Sequence, residues 1–124
     1  MALARAKRDK VSGFILDLRD NPGGLLDQSV KVASHFLYHN RLIVYTQGRG
    51  NTNHIEYRAK HNSSLQFMPV VILINHQSAS AAEIVAGALR DSGKALIIGE
   101  NSYGKGTVQT IFRTSDGSGL RLTT

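Results

Sequence analysis

The sequence predicts an α/β layered domain, and three observations carry that prediction. Apolar runs at residues 13–18, 70–74 and 95–98 are short and nearly unbroken, the pattern of parallel strands buried in a core. Between them lie two segments whose apolar residues recur at helical spacing. Turn chemistry rich in Gly, Asn and Ser punctuates the junctions. Strands alternating with helices in this way build a layered α/β core.

In chain order, residues 1–12 read as the tail of a helix or a linker, and residues 13–18 (GFILDL) as the first strand. Asn21-Pro22-Gly23-Gly24 is a turn. A helix is expected over residues 26–38, with Val30, Ala33, Phe36 and Leu37 on one face and Asn40 as its stop. Residues 41–46 and 55–59 read as strands that pair back across the Gly- and Asn-rich segment 47–53. The run VVILI at 70–74 stops at Asn75 and gives way to Ser78-Ala79-Ser80-Ala81. Ala81, Ile84, Val85, Ala88 and Leu89 then mark a helix, closed by Gly93 because the residue past a helix end often needs φ > 0. After the strand at 95–98, residues 107–112 and 120–123 read as strands joined by a turn over 115–119.

Composition narrows the function classes. The 124 residues make one domain, 1–124, large enough to bury a core. Hydrophobic content of 41% and charged content of 19% are those of a globular chain. No apolar run approaches the roughly 20 residues that span a bilayer, and the opening MALARAKRDK holds no apolar h-region. The absence of cysteine removes disulfides, thiol nucleophiles and cysteine-ligated metals. A net charge of +6 and a pI near 10.0 raise the question of nucleic acid. The few aromatics do not interleave with the basic residues as a stacking platform requires, so no nucleic-acid partner is expected. The basic cluster Arg5, Lys7, Arg8 and Lys10 reads as a solvated helix end.

The stretch from Asn75 to Gln109 carries the chemistry. Ser80 sits where a strand turns into a helix, near free N–H groups and the positive end of the helix dipole, which favour a developing anion. A serine is a poor nucleophile until a base takes its proton. Lys105 lies just beyond the next strand between Gly104 and Gly106, which would let the backbone turn tightly and bring the ammonium inward. Alone, each signal has a plainer reading: an N-cap serine and a solvated loop lysine.

Together they resemble a specific pattern. The segment SASAAEIVAGALRDSGKALIIGENSYGKGTVQ is similar to the catalytic segment of the carboxyl-terminal processing (tail-specific) proteases, which are Ser-Lys peptidases. Asp17-Leu18-Arg19-Asp20-Asn21-Pro22-Gly23-Gly24 resembles the same family's D-L-R-x-N-x-G-G. The resemblance extends over residues 13–124 and makes Ser80 the nucleophile, Lys105 the base and Gln109 the residue that orients the lysine. It implies an oxyanion hole from an amide of the Gly23-Gly24 turn and the amide of Ala81. It also implies a Clp-protease/crotonase-like core of strand-strand-helix units, here incomplete, and no metal or cofactor.

By the same resemblance the expected substrates are proteins or peptides with accessible, largely apolar C-terminal tails. The expected compartment is the bacterial cell envelope, periplasmic or membrane-associated. The family's peptide-binding PDZ domain has no counterpart in these residues, and Leu120 to Thr123 reads as a strand that continues. A truncated core, weakly active or inactive by itself, is therefore expected. A non-catalytic peptide-binding or scaffold domain that keeps the fold is the alternative, and the intact Ser80, Lys105 and Gln109 argue against it.

Other residues have quieter readings. Asp91, eleven residues beyond Ser80, and Glu83, in the first helical turn, read as structural, as do Arg19 and Asp20 in the glycine turn. His35 and His39 lie four apart on the expected helix, a spacing that also suits a metal pair, but no carboxylate pattern accompanies them. Residues 99–105 match the first seven positions of a phosphate-binding G-x-x-x-x-G-K-[ST] loop. Gly106 stands where the hydroxyl should be, and a strand rather than a helix follows.

Overall fold

The computed structural model describes residues 11–123 together with Arg5, Arg8 and Asp9. Most of the helical tail expected at residues 1–12, including Lys7 and Lys10, lies outside the described residues. The elements in order are β1 (Phe14–Asp17), α1 (Leu26–Ser34), β2 (Leu42–Thr46), β3 (Ile55–Arg58), β4 (Val70–Ile74), α2 (Ala81–Asp91), β5 (Ala95–Gly99), β6 (Gln109–Arg113) and β7 (Gly119–Thr123). A parallel sheet runs β1-β4-β5, and two antiparallel hairpins, β2-β3 and β6-β7, stand beside it.

The sheet is in unbroken register, Phe14 opposite Val70 and Val70 opposite Ala95. Side chains alternate across a strand, so Leu16, Val70 and Ile72 join one cluster with Val30, Ala33, Phe36 and Leu37 after β1 and with Ala82, Val85 and Leu89 of α2. Ile72 and Leu89 are fully buried, each contributing about 1.5–3 kcal/mol by leaving water. Phe14 and Phe36 meet edge to face at 5.5 Å.

Two expectations need correction. The three apolar runs are buried on one face, not two: Ile15 is 74% exposed, Leu96 63% and Ile98 49%. The core cluster takes only one side of the pleat, and the register aligns the outward residues Ile15, Val71 and Leu96 on the other. The first helix ends at Ser34 rather than near Tyr38. There the bonding tightens to i−3, with His35 N–H to Val32 O at 3.1 Å and Phe36 N–H to Ala33 O at 3.0 Å. The tightened turn still delivers Phe36 and Leu37 to the core, so the apolar period outlasts the helix. His35 and His39 therefore do not share a helix face, and the His35 ring packs on His61.

Candidate active site

Two turns at the ends of β1 and β4 build the floor of the site. Ser78 is fully buried. Its Oγ donates to Leu18 O at 2.7 Å and accepts from Asn75 N–H at 3.0 Å, locking the two strand ends together. The Asn75 side chain accepts from Asp20 N–H at 3.0 Å and donates to Asp20 Oδ1 at 2.8 Å. Ala79 N–H reaches Asn21 O at 3.0 Å. Arg19 grips Asp17 through both carboxylate oxygens, at 2.9 and 2.7 Å, and its guanidinium holds the Asp17 pKa down to about 2. Arg19 and Asp20 hold this loop, as expected.

Ser80 is half-buried and heads α2 with φ 54° and ψ −118°. An N-cap residue ordinarily has extended backbone angles, whereas this region is sparsely populated by non-glycine residues and costs on the order of 1–3 kcal/mol. Ser80 does cap the helix, in a capping box with Glu83, but an ordinary cap does not need these angles. A strand, a strained serine and a helix in succession is the arrangement by which a nucleophile elbow exposes its hydroxyl.

The glycine turn presses on this elbow. Gly23 has φ 101°, and a Cβ there would lie 2.7 Å from Ala79 O, 2.9 Å from Ala81 N and 2.9 Å from Ser80 Cβ. Only glycine permits that approach. Gly23 N–H is taken by Asn21 Oδ1 at 2.9 Å. The N–H groups of Gly24 and Ala81 have no acceptor among the described residues, which leaves both for a ligand.

The lysine arrives by a separate route. β5 ends at Gly99 with φ 132°, where a Cβ would fall 2.0 Å from Ile74 O. Tyr103 N–H bonds Ser78 O at 2.9 Å, and Gly104 turns the chain at φ 85°. The Glu83 carboxylate then collects four donors. Oε1 accepts from Ser102 Oγ at 2.6 Å and Gly104 N–H at 2.7 Å, and Oε2 from Lys105 N–H at 2.9 Å and Ser80 N–H at 2.7 Å. Burial opposes the charge on Glu83, but these donors outweigh it and hold the carboxyl below the ordinary glutamate range. Lys105 is half-buried and pairs with no carboxylate among the described residues.

The six residues singled out from the sequence come together. Ser80, Lys105, Gln109, Gly23, Gly24 and Ala81 all line one cleft of about 950 Å³. Leu25, Leu26, Val44 and Ile84 give it an apolar portion. Asp91, read as structural from the sequence, ends α2 against Arg90 at 2.8 Å, and His76 meets Glu100 at 3.1 Å. Residues 100–108 lead into strand β6, so the partial phosphate-loop match opens no helix. Sequence reasoning missed the reach of Glu83 and the lock made by Ser78. The spacing Ser80-x-x-Glu83 is a capping-box signature and could have flagged the first bond of Glu83.

Comparison with known proteins identifies the family. The chain matches peptidase family S41 over residues 1–124. It is 50% identical over 116 residues to the carboxy-terminal-processing protease of Bartonella bacilliformis, covering 94% of this chain and 26% of that one. It is 41% identical over 122 residues to the carboxyl-terminal-processing protease of Synechocystis sp., covering 98% and 28%. Among solved structures it superposes on the photosystem II D1 C-terminal processing protease with a TM-score of 0.83 at 39% identity, covering 98% of this chain and 31% of that one. The chain thus spans about a quarter of the length of the curated relatives it matches.

Proposed function

The chain belongs to peptidase family S41, and on that premise we propose that it is the catalytic core of a serine-type carboxyl-terminal-processing peptidase working through a Ser80–Lys105 dyad. The observation that carries this reading is the strained backbone of Ser80 at φ 54°, ψ −118°, in one cleft with Lys105 and two free amide donors.

Ser80 Oγ attacks the carbonyl carbon of the scissile peptide while Lys105 Nζ takes its proton. The oxyanion receives the N–H groups of Gly24 and Ala81, each donor being worth about 2.7–4 kcal/mol in the transition state. Collapse returns the proton from Lys105 to the leaving amine and leaves an acyl ester on Ser80. Water, deprotonated by Lys105, releases the product carboxylate and restores the serine. Gln109 opens β6 at the cleft wall and steadies the lysine. Leu25, Leu26, Val44 and Ile84 suit an apolar C-terminal tail. A PDZ domain elsewhere in a longer protein would present such tails, and the bacterial envelope is the compartment that goes with this reading.

The test uses a chimera that carries this chain in place of the matching segment of the Bartonella bacilliformis protease. An unstructured peptide with an apolar C-terminus is incubated with it, and products are followed by mass spectrometry from pH 6 to 10. Cleavage is expected, and both Ser80→Ala and Lys105→Ala should abolish it. A Lys105→Ala variant as fast as its parent would sink the dyad. No cleavage by the chimera, while the relative itself cleaves, would favour a binding domain.

A further inference from the structure

We propose that Glu83 is the positioning residue of this site: its carboxylate suspends the backbones of nucleophile and base from one anion. The inference rests on the dyad reading. Ser80 N–H and Lys105 N–H both donate to the same atom, Oε2, at 2.7 and 2.9 Å. The other oxygen, Oε1, takes Ser102 Oγ and Gly104 N–H at 2.6 and 2.7 Å. A carboxylate has about four lone-pair sites, and all are used.

A helix-capping role accounts for only one of these bonds, the one to Ser80. The other three reach 19 to 22 residues along the chain and go to the loop that carries the lysine. That loop has little else to hold it. Before it, Glu100 N–H reaches Ile74 O at 3.2 Å and Tyr103 N–H reaches Ser78 O at 2.9 Å. Among the described residues, no other acceptor takes the N–H of Gly104 or Lys105. Charge-assisted bonds of this kind are short and strong, and among the described residues none of 100–108 joins the core cluster.

The same bonds bear on the strained elbow. Ser80 keeps its disfavoured angles only if its surroundings over-determine them, and the bond from its N–H to Oε2 supplies one constraint. Glu83 reaches the reacting atoms only through Ser80 and Lys105, so its loss should change how often the dyad is aligned rather than how substrate binds.

In the same chimera, Glu83→Gln keeps the volume but replaces one acceptor oxygen by a donor. It should lower kcat about 100-fold, the effect of misplacing a catalytic group by an ångström, with KM changed less than about threefold. Ser102→Ala should give a smaller loss in the same direction. Hydrogen exchange is read in parallel. The amides of Gly104 and Lys105 should exchange roughly tenfold faster or more in Glu83→Gln, the weight of a charge-assisted hydrogen bond, while residues 85–89 of α2 keep their protection. Parent kcat with unchanged exchange would overturn the proposal. So would loss of protection throughout α2, which would make Glu83 a stability residue. Cleavage surviving in Ser80→Ala or Lys105→Ala would sink the dyad reading instead, and the exchange data would still decide whether Glu83 holds the loop.

Discussion

The serine and the lysine reach the cleft by unlike means. Ser80 stands on the core: α2 behind it buries Ala82, Val85, Ala86, Ala88 and Leu89, and the turn before it is locked through buried Ser78. The lysine side has no such backing. Residues 100–108 form neither helix nor strand, and the β6-β7 hairpin beyond them leaves Ile111, Phe112, Leu120 and Leu122 exposed. Ser80 is presented by packing, Lys105 by polar bonds. Packing is bistable and resists small changes, whereas a hydrogen-bonded loop can be released one donor at a time.

Breaking the packed strands and helix should have the largest effects. At Gly99, alanine would have to place its Cβ 2.0 Å from Ile74 O at φ 132°. Gly99→Ala should cost several kcal/mol and part β4 from β5, measured by urea unfolding. Leu89→Ala empties a fully buried site in α2 and should cost about 2–5 kcal/mol. Ser78→Ala leaves Asn75 N–H without its partner, while Leu18 O keeps the N–H of Asn21 at 3.3 Å, so the cost should be about 1–3 kcal/mol for the one group left unsatisfied. Cleavage should fall in that variant only as far as folding does.

Acid separates the halves more gently. The folded pKa values of Glu83 and Asp17 both lie below their ordinary 4.5 and 3.8. Their stabilisation is therefore complete above those ordinary values and is lost as pH falls through the folded ones, about 2 for Asp17. On acid titration below pH 4.5, the amides of Gly104 and Lys105 should lose exchange protection before those of α2. Simultaneous loss would mean that the two halves are not independently held. The smallest effect belongs to the hairpin. Phe112→Ser, on an exposed face, should shift stability by no more than about 0.5 kcal/mol.

Much of this was legible in the sequence because it is local. The VVILI run, the Ser78-Ala79-Ser80-Ala81 turn and the Ala81 to Leu89 period placed β4, the elbow and α2 correctly. Gly23 and Gly104 announced backbone angles of φ 101° and 85° that other residues resist. What was not legible depends on distance. An apolar strand reads alike whether one face or two is covered, so the open side of Ile15, Leu96 and Ile98 gave no signal. The period through Phe36 and Leu37 persists across a helix end set by a change of bonding. Three of the four donors that gather on Glu83 come from residues 19 to 22 positions away, and no spacing rule connects them.

The most direct test of the account is to find which hydroxyl carries the acyl group. The chimera is mixed with an excess of peptide substrate, quenched in acid within one turnover, digested and mapped by mass spectrometry. A substrate-derived acyl group is expected on Ser80, absent from Lys105→Ala and never on Ser78. An adduct on Ser78, or undiminished acylation of Ser80 without Lys105, would contradict it.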